Sequence, residues 1–335
     1  MKLIIPMAGR GTRVRPHSHT TPKPLLPVAG KMIVERIVET FVRTLDRKID
    51  EIVFILGPDF GQSIKDKLTA MANRHDATAT FRVQEQAQGT AHAVYCAGPD
   101  LQGECIIVFA DTLFDMEGTV SVEDADSVIW LKKVDDPSRF GVAVEKEGRI
   151  TDFVEKPSEP ISNLAIIGVY YFKEGLQLKK EIEYLLEHDV RGHGREFQLT
   201  DALDRLLKDN KVFKKATVDE WLDCGTLPAW RATSGVITEK EAVEIDEDQY
   251  ENTTIIQPVY IGEDVTLENC TIGPYASIGA GCSLKESTVK NSLIQEHATL
   301  EDCTIENSTI GNYTELKDVD QPVHLGDHSK VGVEV

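Results

Sequence analysis

Leu3-Ile4-Ile5-Pro6-Met7 runs straight into Ala8-Gly9-Arg10-Gly11-Thr12-Arg13, and Thr21-Pro22-Lys23-Pro24-Leu25 follows soon after. A short apolar strand that ends at a glycine pair lets main-chain N–H groups approach a polyanion, because neither glycine puts a β-carbon in the way. Arg13 and Lys23 supply positive charge beside those amides, and Pro22 and Pro24 hold the lysine on a stiff extended segment. The stretch therefore reads as a phosphate site at the end of the first strand of an α/β sheet. A dinucleotide-binding turn needs a third glycine where Val14 stands, and a helix opening at once, whereas Pro16 follows. A Walker loop needs Gly-Lys-Ser/Thr, which Gly11-Thr12-Arg13 does not supply. The plain alternative is a βα turn with a solvated basic loop.

Working outward, apolar residues recur at helical spacing from Ile33 to Leu45. Glu51-Ile52-Val53-Phe54-Ile55-Leu56 then ends at Gly57-Pro58 as a second strand, so strand, helix and strand make a parallel βαβ unit. A helix around 61–71 and a strand at 79–83 continue it. Gln84-Glu85-Gln86-Ala87-Gln88-Gly89-Thr90-Ala91-His92-Ala93 sits where a strand ends and a helix begins, the place where open α/β sheets bind ligands. Gln84 is suited to read a base edge, and Gly89 to let a ring lie against the backbone; a loop leading into a helix explains the same residues. His92 reads as a packing or capping residue.

Cys105-Ile106-Ile107-Val108-Phe109-Ala110-Asp111 delivers a carboxylate at the end of a buried strand, and Asp223 stands in Trp221-Leu222-Asp223-Cys224-Gly225-Thr226. A hard divalent cation that bridges substrate phosphates takes only one or two protein carboxylates. Between them, Phe140-Gly141-Val142-Ala143-Val144 and Ile150 to Pro157 form a hairpin around Lys146-Glu147-Gly148. Thr200 and Asp201 are read as the N-cap and first turn of a helix.

At 335 residues, two domains are expected. A formal net charge of −20 disfavours nucleic acid as a partner, and against it Arg10, Arg13, Arg15, Lys23 and Lys31 stand out as a local basic cluster. That contrast suits a small anion. No stretch approaches a membrane span and Pro6 interrupts any signal peptide, so no membrane contact and a cytoplasmic setting are expected. The six cysteines include no C-x-x-C pair, which speaks against a zinc site or a disulfide framework.

Residues 236–252 are acidic and read as a linker. Beyond it Ile255, Ile261, Leu267, Ile272, Ile278, Leu284, Val289, Ile294, Leu300, Ile305, Ile310 and Leu316 recur every five or six residues, the mark of a hexapeptide-repeat left-handed β-helix with its apolar residues inward. Cys270, Cys282 and Cys303 are expected at small interior positions.

The set Gly-x-Gly-Thr-Arg with Pro-Lys-Pro-Leu, Gln84 to Ala93, Asp111, Glu155-Lys156-Pro157, Glu196-Phe197-Gln198-Leu199-Thr200-Asp201-Ala202 and Trp-x-Asp-x-Gly-Thr resembles the sugar-phosphate nucleotidyltransferases. In fold, the resemblance implies an α/β, Rossmann-like nucleotidyltransferase domain with a mixed, mainly parallel sheet at 1–235, a linker at 236–252, and a β-helix at 253–335. In activity it implies transfer of a nucleotidyl group from a nucleoside triphosphate to a sugar 1-phosphate with Mg²⁺, dTTP or UTP and glucose 1-phosphate being favoured, by a homo-oligomer. Arg13, Lys23, Asp111 and Asp223 are then catalytic, the two aspartates also holding the metal. Ala8, Gly9, Gly11, Thr12, Gln84, Gly89 and Thr90 bind the nucleotide. Gly141, Glu155, Lys156, Gly168, Arg195 and Glu196 bind the sugar phosphate, with Arg191 an alternative to Arg195. The rival readings are an added acyltransferase on the β-helix with His297 as base, a mannose-1-phosphate guanylyltransferase, and a catalytically silent sugar-nucleotide-binding subunit.

Overall fold

The computed structural model describes residues 1–9, 11–123, 125–146, 149–159 and 161–333; Arg10 and the Glu147-Gly148 turn lie outside the described residues. The chain divides into two compact units, Met1–Gly9 with Ile37–Trp221, and Arg10–Arg36 with Leu222–Val335.

In the first unit one mixed sheet runs in the spatial order Arg149–Glu155, Gly141–Lys146, Leu164–Phe172, Cys105–Val108, Lys2–Pro6, Glu51–Leu56, Thr78–Val83. Ser127–Lys133 also pairs with Leu164–Phe172, and Phe213–Thr217 pairs with Ser127–Lys133. The strands from Cys105–Val108 to Thr78–Val83 are parallel, whereas Leu164–Phe172 is antiparallel to each of its neighbours. Leu3, Ile4, Ile5, Ile52, Val53 and Ile106 are wholly buried, as their unbroken apolar runs require of a parallel sheet covered on both faces. Gly168 sits in a register slip of the central antiparallel strand between Ile166 and Tyr170, and its carbonyl accepts from Phe109 N at 3.0 Å. The bulge lies beside the strand that leads to Asp111.

The second unit holds a short hairpin, Pro27–Val28 with Lys31–Met32, the helix Leu227–Lys240 and a stack of short parallel strands in three sheets. Leu267, Leu284, Leu300 and Leu316 lie in register on one of these sheets, so a coil takes 16 or 17 residues. This is the expected left-handed β-helix. Eleven of its twelve inward positions are buried and Ile261 is half-buried, while Cys270, Cys282 and Cys303 fill interior positions as free thiols. The coils turn through left-handed residues such as Asn269, Asp302 and Asp318, types that tolerate that conformation.

Candidate active site

In the first unit, Gln84 follows the strand Thr78–Val83 and is 7% exposed, with its Nε2 3.0 Å from His92 Nδ1. Burial lowers the His92 pKa, so the ring is neutral and accepts from the amide. One Gln84 N–H is thereby committed, and Oε1 remains as its acceptor. His92 supports Gln84 from the helix Thr90–Tyr95.

Gly89 has φ +116, and a β-carbon there would strike the Phe197 carbonyl oxygen and lie 2.7 Å from its nitrogen. The room this glycine makes is filled by main chain. Phe197 N donates to Gln88 O and Ala91 N to Phe197 O, each at 2.9 Å, and Leu199 N donates to Thr90 Oγ1 at 2.9 Å. The segment 84–91 and the segment 196–199 are thus one hydrogen-bonded body.

Beside it, Glu155 pairs across the hairpin with Gly141. A β-carbon at 141 would fall 2.8 Å from Glu155 Oε2 and 3.1 Å from Thr200 Cγ2, so the missing side chain is what seats the carboxylate. Burial pushes the Glu155 pKa up, against the opposing charges of Lys156, whose Nζ is 3.7 Å from Oε1, and of His193. His193 was not legible as a site residue; only its glycine neighbours mark the loop. Asp111 is exposed, three residues past its strand. With burial first and Glu155 next, its charge helps to raise the pKa of the buried Tyr170 hydroxyl.

One expectation is corrected here. Thr200 is not an N-cap: the helix Leu199–Lys208 starts after Gln198, and Thr200 is its buried second residue, turned toward Glu155, while Asp201 does occupy the first turn. Arg191 is held by Asp189 Oδ1 at 2.6 Å, by the Arg195 carbonyl at 3.1 Å and over the Phe197 ring at 4.2 Å. It braces the loop, in which Arg195, exposed and left-handed, stands beside the exposed Glu196.

In the second unit, Gly11 has φ +58, and a β-carbon there would meet Lys23 Cβ at 2.8 Å; Ser18 Oγ also donates to Gly11 O at 2.7 Å. The glycine lets the loop fold onto the buried Lys23. Thr12 and Arg13 form the exposed start of a short 3₁₀ turn. Asp223 Oδ1 accepts from Gly225 N at 2.6 Å, and a β-carbon at Gly225 would lie 3.3 Å from Arg13 Nη2. Asp223 ends the strand Glu220–Asp223 and Thr226 caps the helix Leu227–Lys240 through Ala229 N, so the Trp-x-Asp-x-Gly-Thr run is a tight strand-to-helix connection held at both ends. His297 is exposed on a β-helix corner, stacked 4.9 Å from Tyr313, which stacks 5.2 Å from His328.

The family model described as "Nucleotidyl transferase" matches residues 2–240. The chain belongs to that family. Among its relatives, the low-salt glycan biosynthesis nucleotidyltransferase Agl11 of Haloferax volcanii is 31% identical over 88% of this chain and 87% of that protein. A glucose-1-phosphate thymidylyltransferase of Streptomyces antibioticus is 27% identical over the whole of both chains. The bifunctional protein GlmU of Methanococcus aeolicus is 32% identical over 67% of this chain, which spans only 51% of that longer protein. A crystal structure of a UDP-glucose pyrophosphorylase complexed with UDP-glucose shares the fold, with a TM-score of 0.57 at 24% identity over 71% of this chain and 98% of that one. The chain is thus a sugar-phosphate nucleotidyltransferase by family. None of its described helices is long and apolar enough to cross a membrane.

Proposed function

We propose that this nucleotidyltransferase joins dTTP or UTP to glucose 1-phosphate, releasing pyrophosphate. The observation that carries this reading is the fusion of the segment 84–91 to the segment 196–199 beside Glu155, Gly141 and Lys156. That arrangement supports a base-reading role for the Gln84 amide and a sugar-facing role for the Glu155 carboxylate. Gln84, with an N–H given to His92, offers Oε1 to a base that carries a ring N–H, as uracil, thymine and guanine do; cytosine and adenine present an acceptor there.

In the proposed reaction a phosphate oxygen of the sugar 1-phosphate attacks the α-phosphorus, and the bond to the β-phosphate oxygen breaks. No covalent enzyme intermediate is needed, because such displacements depend on alignment and charge neutralisation. Ala8, Gly9, Gly11 and Thr12 offer main-chain donors to the triphosphate, Arg13 stabilises the departing pyrophosphate and Lys23 the α-phosphate. Gly89 and Thr90 hold the nucleotide segment in place. Lys156, with Arg195, holds the attacking phosphate, while Glu155 and Glu196 accept from sugar hydroxyls over Gly141 and Gly168. Asp111 and Asp223 are exposed carboxylates, hard oxygen donors of the kind that suits Mg²⁺. Mg²⁺ held by these carboxylates would supply charge neutralisation to the phosphates. We assign the chemistry to 1–235, and to 253–335, joined by 236–252, assembly of a homo-oligomer in the cytoplasm. A screen of five nucleoside triphosphates against a panel of sugar 1-phosphates, read as pyrophosphate release, tests the assignment. Release with dTTP or UTP and glucose 1-phosphate supports it; release confined to GTP with mannose 1-phosphate overturns it.

A further inference from the structure

Between Arg13 and Lys23 the loop of the second unit carries a histidine that belongs to no motif. His17 is 1% exposed. Its Nδ1 lies 2.8 Å from Gln295 Nε2 and its Nε2 2.8 Å from Thr309 Oγ1, both on the β-helix of the same unit. The Gln295 amide is oriented by Asn312 Nδ2, which donates to its Oε1 at 3.3 Å and to Asp327 Oδ1 at 3.1 Å. Gln295 therefore donates to His17 Nδ1, and His17 donates through Nε2 to Thr309. The Thr309 hydroxyl in turn donates to His324 Nδ1 at 2.9 Å. Each polar atom in this chain is satisfied with His17 neutral. Around it the same loop is pinned again: Thr20 Oγ1 donates to Asp327 Oδ2 at 2.6 Å, Pro16 lies against Gly326, and the His17 ring meets Trp230 edge-on at 5.2 Å.

We propose that His17 is a positioning residue, and that through Gln295 and Thr309 the β-helix sets the conformation of the triphosphate loop. The inference rests on the nucleotidyl-transfer reading for the role of that loop. Arg13 and Lys23 flank His17 by four and six residues, so the loop cannot hold both cations in place if its middle slides on the β-helix. The β-helix is then a working part of the nucleotide site as well as an assembly element. Burial, which keeps His17 neutral down to a pKa of about 4 against the pull of Asp327, keeps the relay in one hydrogen-bonding pattern.

Thr309→Val keeps the shape of the side chain and removes the hydroxyl, and Thr309→Ser restores it. In the full-length enzyme, well below its melting temperature, Thr309→Val should raise the KM for the nucleoside triphosphate about tenfold, the worth of a buried hydrogen bond. The KM for the sugar 1-phosphate should stay within twofold, and Thr309→Ser should recover most of the loss. A destabilised but correctly built protein would instead lose kcat in proportion to its inactive fraction, with both KM values unchanged. In parallel, hydrogen exchange at the Val14, Leu25 and Leu26 amides, which close the loop's turns, should quicken at least fivefold in Thr309→Val, while the amides of Glu51–Leu56 stay unchanged. An unchanged triphosphate KM, or unchanged exchange at the loop amides, overturns the proposal. If the wild type releases no pyrophosphate with any substrate pair, the proposed function falls, and the exchange measurement alone still decides whether the β-helix holds the loop.

Discussion

Gly89→Ala is the sharpest structural perturbation available in the first unit. At φ +116 and ψ 175 the backbone of residue 89 lies in a region that only glycine occupies readily, which costs an alanine about 1–3 kcal/mol. The added β-carbon also meets the Phe197 main chain, with 2.7 Å to its nitrogen, and main chain cannot swing aside as a side-chain tip does. Relief requires the two segments to part, which loosens the Phe197–Gln88, Ala91–Phe197 and Leu199–Thr90 hydrogen bonds, each worth roughly 1 kcal/mol net. Together these give a destabilisation of about 3 kcal/mol or more. Urea unfolding should show a lower midpoint at an unchanged m value, and the KM values for nucleotide and sugar 1-phosphate should rise together because both segments belong to one body. A stability loss under about 1 kcal/mol with both KM values intact would refute the account of how this glycine is used.

Arg13→Ala should leave the unfolding midpoint in place and lower kcat by roughly 10²–10³, the usual loss for one preorganised charge-stabilising donor; unchanged turnover at saturating substrate counts against its role. Asp111→Asn and Asp223→Asn should each raise the Mg²⁺ concentration that gives half-maximal rate, since an amide keeps the shape but not the charge that binds a hard cation. Full turnover in excess EDTA would make both aspartates structural. His17 gives a pH signature of stability. Its pKa falls from 6.5 in the unfolded chain to about 4 in the fold, mainly through burial, so the unfolded state takes up a proton that the folded state refuses. Stability is full above pH 6.5 and declines as pH falls toward 4, by about 2 kcal/mol between pH 7.5 and 5. His17→Asn should flatten that part of the pH–stability curve, and an identical slope in the variant would mean that other groups cause it.

How far the sequence reveals this molecule varies with the range of the interactions concerned. Leu3-Ile4-Ile5 and Ile52 to Leu56 announce buried parallel strands because each residue of the run must be apolar when both sheet faces are covered. The β-helix shows itself through a period that each coil must satisfy for itself. Local signals misplace the start of the helix Leu199–Lys208, because Thr200 has the chemistry of a cap but its side chain is buried beside Gly141 and Glu155, on the distant hairpin. Gly89 announces an unusual backbone, yet what fills the space beside it is Phe197, more than a hundred residues on. His17 is the extreme case. Its partners lie 278 and 292 residues away, and nothing in Pro16-His17-Ser18 distinguishes a buried relay from a solvated turn.

The central claim is that the α-phosphorus of a nucleoside triphosphate is transferred to a sugar 1-phosphate. Phosphorus NMR of the full-length protein with dTTP or UTP, glucose 1-phosphate and Mg²⁺ reads that event directly. The α-phosphorus signal should move into the diphosphate of a nucleoside-diphosphate sugar while pyrophosphate appears in equal amount; orthophosphate release without pyrophosphate, or a spectrum unchanged with every triphosphate and sugar 1-phosphate tried, would contradict nucleotidyl transfer.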